Sequence, residues 1–171
     1  MSLDHVYAVK IWDDGLDDGD DHEVAIATQL GLAAAANPDL PFPIVKGGGR
    51  RGPLNFLISE LAVGDINQLF ALARKHAKEG TLEAWCAQFP NWGVATTLQE
   101  WKGMIFARIT CALKTLHAYG YAHLDAHRGN FMCLESGKVV IHDFGTTVPI
   151  TSAAATQDAQ MLNEHYSGWS I

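Results

Sequence analysis

The sequence has few cysteines, and they are not arranged as a disulfide framework or a zinc site. Of 171 residues only three are cysteine, namely Cys86, Cys111 and Cys133, and no two of them form a closely spaced pair of metal ligands. An odd, scattered set of thiols is typical of proteins from a reducing compartment. We therefore expect a cytoplasmic protein whose three thiols act as small buried apolar groups.

The sequence also lacks long apolar runs and an excess of positive charge. No stretch approaches the length needed to cross a bilayer, and the N-terminal residues reach Asp4 without the apolar core of a signal peptide. Twelve Lys and Arg residues stand against 19 Asp and Glu, a formal net charge of −7. Without a basic stripe to neutralise phosphate backbones, nucleic acid is not an expected partner. We expect a soluble protein with no membrane span, long enough for one domain with a hydrophobic core.

What the sequence does have is a predicted hairpin near its C-terminal end. Residues 131–134 and 138–142 are short apolar runs rich in β-forming residues, and the turn-forming residues 135–137 separate them. A hairpin returns its two outer ends to the same edge of a sheet. Residues that precede the first strand and residues that follow the second are therefore expected to lie close together.

Three oxygen-bearing side chains flank this hairpin. Asp125 and Asn130 precede its first strand, and Asp143 follows its second. Two carboxylates and one amide at one edge of a sheet suit a hard cation such as Mg²⁺, whose charge binds and neutralises phosphate oxygens. The hairpin therefore predicts a site for metal-assisted phosphate chemistry.

The pattern His-x-Asp-x-x-x-x-Asn followed by Asp-Phe-Gly resembles the catalytic and metal loops of the protein-kinase superfamily. The matching residues are His123, Asp125, Asn130, Asp143, Phe144 and Gly145. The resemblance implies an α+β, protein-kinase-like bilobal fold with ATP between the lobes. Its reduced N-lobe sheet would occupy residues 1–62 and its shortened helical C-lobe residues 63–171.

The same resemblance implies a role for each loop residue. Asp125 would orient the attacking hydroxyl and accept its proton, while Asn130 and Asp143 would hold the metal ions. His123 and Phe144 would pack inside the domain. A zinc site built from four loop and hairpin residues is the alternative, but its spacing matches no common zinc pattern and its members straddle both strands. Those four are His123, His127, Cys133 and His142.

Residues near the N-terminus extend the resemblance. Residues 6–12 are similar to the family's Val-Ala-x-Lys strand, which implies that Ala8 lies against the adenine and that Lys10 reaches the α and β phosphates. The family pairs this Lys with a Glu on the following helix. Glu23 is the only glutamate in the helix predicted over residues 21–36, so it is the expected partner of Lys10.

Residues 57–65 resemble the family's hinge, in which a strand leads into a connector and then a helix. The resemblance implies that the backbone carbonyl of Glu60 and the amide of Ala62 contact the adenine edge, with Ser59 as gatekeeper. Met132, in the first strand of the catalytic hairpin, is a further expected nucleotide contact.

The remaining pattern predicts ordinary elements. Asp65 is a natural N-cap for a helix over residues 66–78. Further helices are predicted over residues 97–118, ending at Gly120, and over 153–166. A hairpin is expected between residues 42–45 and 54–58, with a mobile glycine-rich tip over 46–52. Irregular aromatic packing is expected over residues 79–96. Residues 13–21 are expected to form an acidic linker that supplies an N-cap, because they fail the calcium-loop pattern.

Two departures from the family leave the acceptor open. His127 stands two places after Asp125, where protein serine/threonine kinases usually carry Lys. The form Asp-x-His-x-Gly-Asn is more similar to aminoglycoside and choline kinases, or to the atypical branch that includes the ubiquinone-linked kinases. An Ala-Pro-Glu segment and a glycine-rich phosphate loop before Lys10 are both missing. We therefore expect a minimal or truncated kinase.

The expected activity is ATP- and Mg²⁺-dependent transfer of the γ-phosphoryl group to a hydroxyl acceptor. A protein serine/threonine kinase of minimal type ranks first, because the Asp-Phe-Gly and hinge-like segments match. A small-molecule kinase is the close alternative, and a non-catalytic binding module built on the kinase fold is the third. The partners are thus a protein or small-molecule hydroxyl acceptor, with an activating protein that supplies the missing groove as a further hypothesis.

Overall fold

A computed structural model of the chain describes residues 7–13, 22–89 and 91–169. Over these residues the protein is mixed α+β with small antiparallel sheets. Most of the linker expected over 13–21, with the N-cap expected there, falls outside the described residues, and so does the start of the first strand before Tyr7. Asp13, the first residue of that linker, is instead the last residue of a strand. The division into two lobes stays a prediction.

The helices and strands alternate irregularly along the chain. Their order is β1 (Tyr7–Asp13), α1 (His22–Ala36), β2 (Val45–Arg51), β3 (Leu54–Glu60), β4 (Ala62–Asp65), α2 (Ile66–Glu79), α3 (Leu82–Cys86), α4 (Leu98–Ala118), β5 (Tyr121–Ala122), β6 (Phe131–Leu134), β7 (Val139–Ile141), β8 (Val148–Pro149) and α5 (Ser152–His165). Single 3₁₀ turns at Arg128–Asn130 and Phe144–Thr146 stand at the two ends of the β6–β7 hairpin.

The first sheet has the antiparallel order β1-β3-β2, and it corrects the expected mobile tip. β2 continues through all three consecutive glycines, so the turn is confined to Gly52 and Pro53. A Cβ at Gly48 would lie 3.0 Å from side-chain atoms of Leu57 and Val24. The missing side chain lets α1 pack closely on the strand, which favours pairing over a loose loop.

Helix α1 approaches the same sheet at a second glycine. A Cβ at Gly31 would lie 2.7 Å from the backbone nitrogen of Val45, so any larger residue there would push the helix away from β2. The close contact fixes the height and rotation of α1 on the sheet. The first turn of the helix, which carries Glu23 and Val24, is thereby held against β2 and β3, where Val24 lies near Gly48.

The second sheet has the order β4-β6-β7 and contains the predicted catalytic hairpin. β6 and β7 pair antiparallel with Phe131 opposite Ile141, which confirms the hairpin. Part of the segment expected to be a hinge connector is itself strand, because Ala62 pairs with Leu134 and Asp65 with Met132. The connector is therefore reduced to Leu61 between β3 and β4.

The longer helices confirm the sequence expectations. Asp65 caps α2 in a capping box with Gln68, and Thr97 caps α4 in the same way with Glu100. α4 lies in the core with Trp101 and other fully buried residues on one face. Trp85 and Trp92, in the irregular stretch over residues 79–96, are buried, as expected of packing aromatics. The short helix α3 in this stretch was not predicted.

The thiol expectation is confirmed at two positions and wrong at the third. Cys86 and Cys133 are buried, whereas Cys111 is exposed on α4. The helical pattern explains the difference, since Cys111 lies next to the buried residues Ala112 and Leu113 but one position off their face. Among the described residues, no helix is long and apolar enough to cross a bilayer.

Candidate active site

The Lys10 side chain joins three segments that are distant in sequence. Its Nζ atom lies 2.6 Å from Oε1 of Glu23 and 2.8 Å from Oδ1 of Asp143. Lys10 is on the half-buried face of β1, and Glu23 is in the first turn of α1 with only 8% of its surface exposed. Asp143 follows β7 in the left-handed region, with φ 63° and ψ 71°. The expected partner of Lys10 is therefore in contact with it, together with the predicted metal ligand.

The ion pairs set the protonation states of this cluster. Burial alone would raise the pKa of Asp143, but the hydrogen bond and positive charge of Lys10 outweigh it and lower that pKa. Burial alone would lower the pKa of Lys10, and its bonds to Asp143 and Glu23 outweigh it and raise that pKa. At neutral pH the cluster thus holds an ammonium ion beside ionised Asp143.

Asn130 and Asp125 are hydrogen-bonded to each other within the loop before β6. The Asn130 Nδ2 group donates to both the backbone oxygen and Oδ2 of Asp125, each at 2.9 Å. Asn130 is buried, whereas 39% of the Asp125 side chain remains exposed. The carboxylate is therefore oriented from inside the protein and remains accessible to a hydroxyl from solvent.

His127 contacts the same carboxylate from the other side. Its Nε2 atom lies 3.4 Å from Oδ2 of Asp125, and its Nδ1 atom accepts a hydrogen bond from the Gly129 amide at 2.9 Å. A Cβ at Gly129 would lie 2.8 Å from Cε1 of His127. The glycine is thus required for the imidazole to fold back over the loop and reach Asp125.

Two histidines, His123 buried and His142 half-buried, connect this loop to the segment that carries Asp143. His123 donates from Nε2 to the carbonyl of His142 at 3.0 Å, and its Nδ1 accepts from the Asp125 amide at 3.3 Å. His142 donates in turn from Nε2 to the Gly129 carbonyl at 2.8 Å. These bonds require neutral imidazole at His123, and burial lowers the pKa of both rings accordingly. Asp125 and Asp143 are therefore linked through backbone and histidine rather than by direct contact.

Sequence reasoning missed the role of Asp158 on α5. Its fully buried carboxylate accepts from the amides of His123 at 2.8 Å and Leu124 at 2.7 Å, and lies 2.8 Å from Nε2 of His117. Leu124 has φ 62°, an unfavourable value for a branched side chain, so these bonds hold a strained backbone. A signal was present: Ala154 and Leu162, four residues on either side, mark the apolar face of α5.

The expected nucleotide contacts lie on the two sheets. Ala8 is on the same face of β1 as Lys10 and pairs with Ser59 of β3. Glu60 and Ala62 flank Leu61, and the Glu60 carboxylate accepts a hydrogen bond from the Ile44 amide at 2.8 Å. Met132 is in the central strand of the second sheet, opposite Val140. Their contact with adenine stays a prediction.

The predicted metal ligands are the oxygen-bearing side chains of Asn130 and Asp143. Among the described residues, no group of three or more His, Cys, Asp or Glu side chains could hold an ion by itself, so the four-residue zinc alternative gains no support. Mg²⁺, however, is commonly bound by one or two carboxylates together with water and substrate phosphates. The Asp143 carboxylate and the Asn130 amide oxygen are oxygen ligands of that kind, and their binding of Mg²⁺ stays a prediction.

No family model matches this chain, and no curated protein matches it in sequence. Function is therefore inferred from the residues and contacts described above.

Proposed function

We propose that the protein is an ATP- and Mg²⁺-dependent phosphotransferase that moves the γ-phosphoryl group to a hydroxyl acceptor. We further propose a kinase-like bilobal arrangement, with residues 1–62 and 63–171 on either side of the nucleotide. The observation that carries the proposal is the position of Lys10 between Glu23 and Asp143. A lysine ammonium held beside a half-exposed carboxylate supports binding of a phosphate chain together with its metal ion.

In the proposed reaction the side chains of the protein position the reacting groups and stabilise the charge on the phosphate oxygens. In the proposed reaction the acceptor oxygen attacks the γ-phosphorus, the bond from that phosphorus to the bridging oxygen of ADP breaks, and the acceptor proton passes to Asp125. Asn130 orients the Asp125 carboxylate through its two hydrogen bonds. Bound Mg²⁺ would supply positive charge to the phosphate oxygens, with Asn130 and Asp143 as its protein ligands.

A protein serine or threonine side chain is the acceptor we propose first. The match at Asp143, Phe144 and Gly145 supports it, together with the buried, packed position of Phe144. The contact of His127 with Asp125 supports a small-molecule acceptor instead, because an imidazole in the lysine position alters the charge next to the attacking hydroxyl. The two acceptor classes differ in size and charge, so they can be tested side by side.

The deciding experiment offers γ-labelled ATP and Mg²⁺ with a mixture of serine and threonine peptides and a second mixture of amino sugars and amino alcohols. Label in peptide supports the first acceptor class, and label in a small molecule supports the second. ATP binding without transfer to either mixture would favour a non-catalytic binding module or a requirement for an activating partner. Absence of ATP binding in the presence of Mg²⁺ would overturn the proposal. The Asp39→Asn variant, at an exposed carboxylate outside the cluster, is the matched control for variants of Asp125 and Asp143.

A further inference from the structure

Five basic residues lie around one exposed surface, although the chain as a whole is acidic. We call this surface the α2 basic surface; it is formed by α2, the start of α4 and the 3₁₀ turn before β6. Its basic residues are Arg74, Lys75, Lys78, Lys102 and Arg128. They make up five of the twelve Lys and Arg residues in a chain of formal net charge −7. A large share of the positive charge is thus concentrated on this surface.

The Phe70 ring connects the two parts of this surface. Lys102 Nζ lies 5.6 Å and Arg128 Cζ 5.7 Å from its centroid. The same side chain lines a shallow depression of about 550 Å³ along α2, together with the three basic residues of that helix and the acidic Glu79. Phe70 also stacks against Trp101 in the core, which holds the ring in place. Phe70 therefore connects Lys102 and Arg128, which contact its ring, with the depression that the three basic residues of α2 line.

Trp169 packs beside Phe70 and contacts both Lys102 and Arg128. Its ring lies 5.0 Å from that of Phe70, and it is contacted by Arg128 at 5.4 Å and by Lys102 at 5.9 Å. Such contacts hold cations over aromatic faces while their N–H groups remain able to bind an anion. The arrangement orders the two side chains without neutralising them.

Within the described part of the chain, none of the five basic side chains of this surface forms an ion pair, although the Glu79 carboxylate lies beside them. Within those residues the ion pairs involve Lys10, His117 and His127, and none includes any of the five basic side chains. Five positive charges against one neighbouring carboxylate, Glu79, leave an excess of positive charge that is complementary to an external anion. The partly exposed Phe70 ring adds an apolar contact area beside the charges.

We propose that the α2 basic surface is a docking site for an extended acidic peptide segment of a partner protein, with an apolar residue seated beside Phe70. From Phe70 to Lys78 the helix rises about 12 Å, which corresponds to roughly four residues of extended peptide. A single small anion would contact only part of that length. A nucleic acid strand would extend past the surface and meet the acidic remainder of the protein. The docking site is independent of phosphoryl transfer, although Arg128 is only three residues beyond Asp125.

The test measures binding of a fluorescein-labelled peptide of mixed Asp and Glu residues with one central Phe, by fluorescence anisotropy. We expect the wild-type chain to bind this peptide at low salt, and to bind it much more weakly at 1 M salt, where charges are screened within about 3 Å. The double variant Arg74→Glu/Lys78→Glu should bind roughly tenfold more weakly. The matched control, Lys46→Glu/Lys114→Glu, makes the same charge change at exposed positions on β2 and α4 and should bind like the wild type.

Several results would overturn the docking proposal. One is no peptide binding at low salt, and another is an equal loss of peptide affinity in the control variant. The proposal would also fail if a peptide with Gln and Asn in place of Glu and Asp bound equally well, or if a single-stranded RNA of similar length bound more tightly. Circular dichroism would verify that each variant is folded. If the charge reversal unfolds the chain, Arg74→Gln/Lys78→Gln replaces it, and unchanged peptide affinity in that folded variant would equally refute the site.

Discussion

The Nζ atom of Lys10 lies 2.8 Å from Oδ1 of Asp143, although 133 positions separate the two residues in sequence. The contact joins the first strand of one sheet to the segment that follows the last strand of the other. Glu23 holds the same ammonium at 2.6 Å, so the position of Lys10 is fixed from two sides. The candidate site therefore depends on the relative position of the two sheets.

The first prediction concerns the contribution of Lys10 to stability. Replacing Lys10 with Met removes two charge-assisted hydrogen bonds, one of them to nearly buried Glu23. Because 39% of the lysine side chain is exposed, solvent screens part of the loss, and we expect the free energy of unfolding to fall by about 1 kcal/mol. Urea unfolding measures the change. Lys46→Met on β2 is the control, and an equal loss in both variants would show that the Lys10 contacts contribute nothing specific.

The second prediction is a pH dependence of stability that arises from Asp143. Its pKa is lower in the folded protein, so its contribution is complete above the unfolded value of about 3.9 and is lost as pH falls through the folded value. Between about pH 5 and pH 2, the wild type should lose more stability than Asp143→Asn. Urea unfolding at a series of pH values tests this. Parallel curves for the two proteins would contradict it, and Asp39→Asn should follow the wild type.

The third prediction concerns the pH dependence of stability that Lys10 contributes at alkaline pH. The pKa of Lys10 is raised in the folded protein, so its contribution is complete below the unfolded value of about 10.4 and disappears as pH rises through the folded value. The stability difference between the wild type and Lys10→Met should therefore shrink above about pH 10. Unfolding measured near pH 8 and pH 11 gives the comparison. A difference that grows with pH would mean that the sign of the pKa shift is wrong.

The fourth prediction concerns Gly129. An added methyl group would lie 2.8 Å from the His127 ring, so Gly129→Ala must displace the imidazole from Asp125. We expect the free energy of unfolding to decrease by about 1–3 kcal/mol, the usual cost of overpacking. Gly47→Ala is the matched control, since a Cβ there meets nothing within 4 Å. Equal stability of the two variants would show that the loop adapts without cost.

The fifth prediction concerns Asp158. Replacing it with Ala leaves the amides of His123 and Leu124 without their acceptor in a buried environment. Loss of one partner of a buried charged interaction typically costs about 3–5 kcal/mol, and we expect a decrease in that range. The exposed Gln160→Ala on the same helix should change little. Partial recovery in Asp158→Asn, whose amide oxygen can still accept, would confirm that the hydrogen bonds are responsible, and no recovery would point to packing.

The sequence allowed the local elements to be predicted well, because their signals are local. Asp65 and Thr97 are capping residues whose side chains form hydrogen bonds to backbone amides three positions along the chain. The β6–β7 hairpin is predicted by the turn-forming residues between its strands. The contact between Lys10 and Glu23 was expected only through the family resemblance. Hydrophobic periodicity alone would not place β1 under the first turn of α1.

The errors came from interactions that span elements. The glycines of β2 suggested a mobile tip, and only the approach of Val24 and Leu57 to Gly48 shows why they form a strand. Asp158 was not singled out because its partners, His123 and Leu124, lie 34 or more positions away. An acidic residue on the apolar face of a helix was the available clue.

The most direct measurement compares phosphoryl transfer and nucleotide binding in the wild type and in Asp125→Asn. If Asp125 accepts the acceptor's proton, the variant should bind ATP with Mg²⁺ as tightly as the wild type but transfer label at least about 100-fold more slowly. The exposed Asp39→Asn should match the wild type in both assays. Transfer at an undiminished rate by a folded Asp125→Asn protein would contradict the proposed active site.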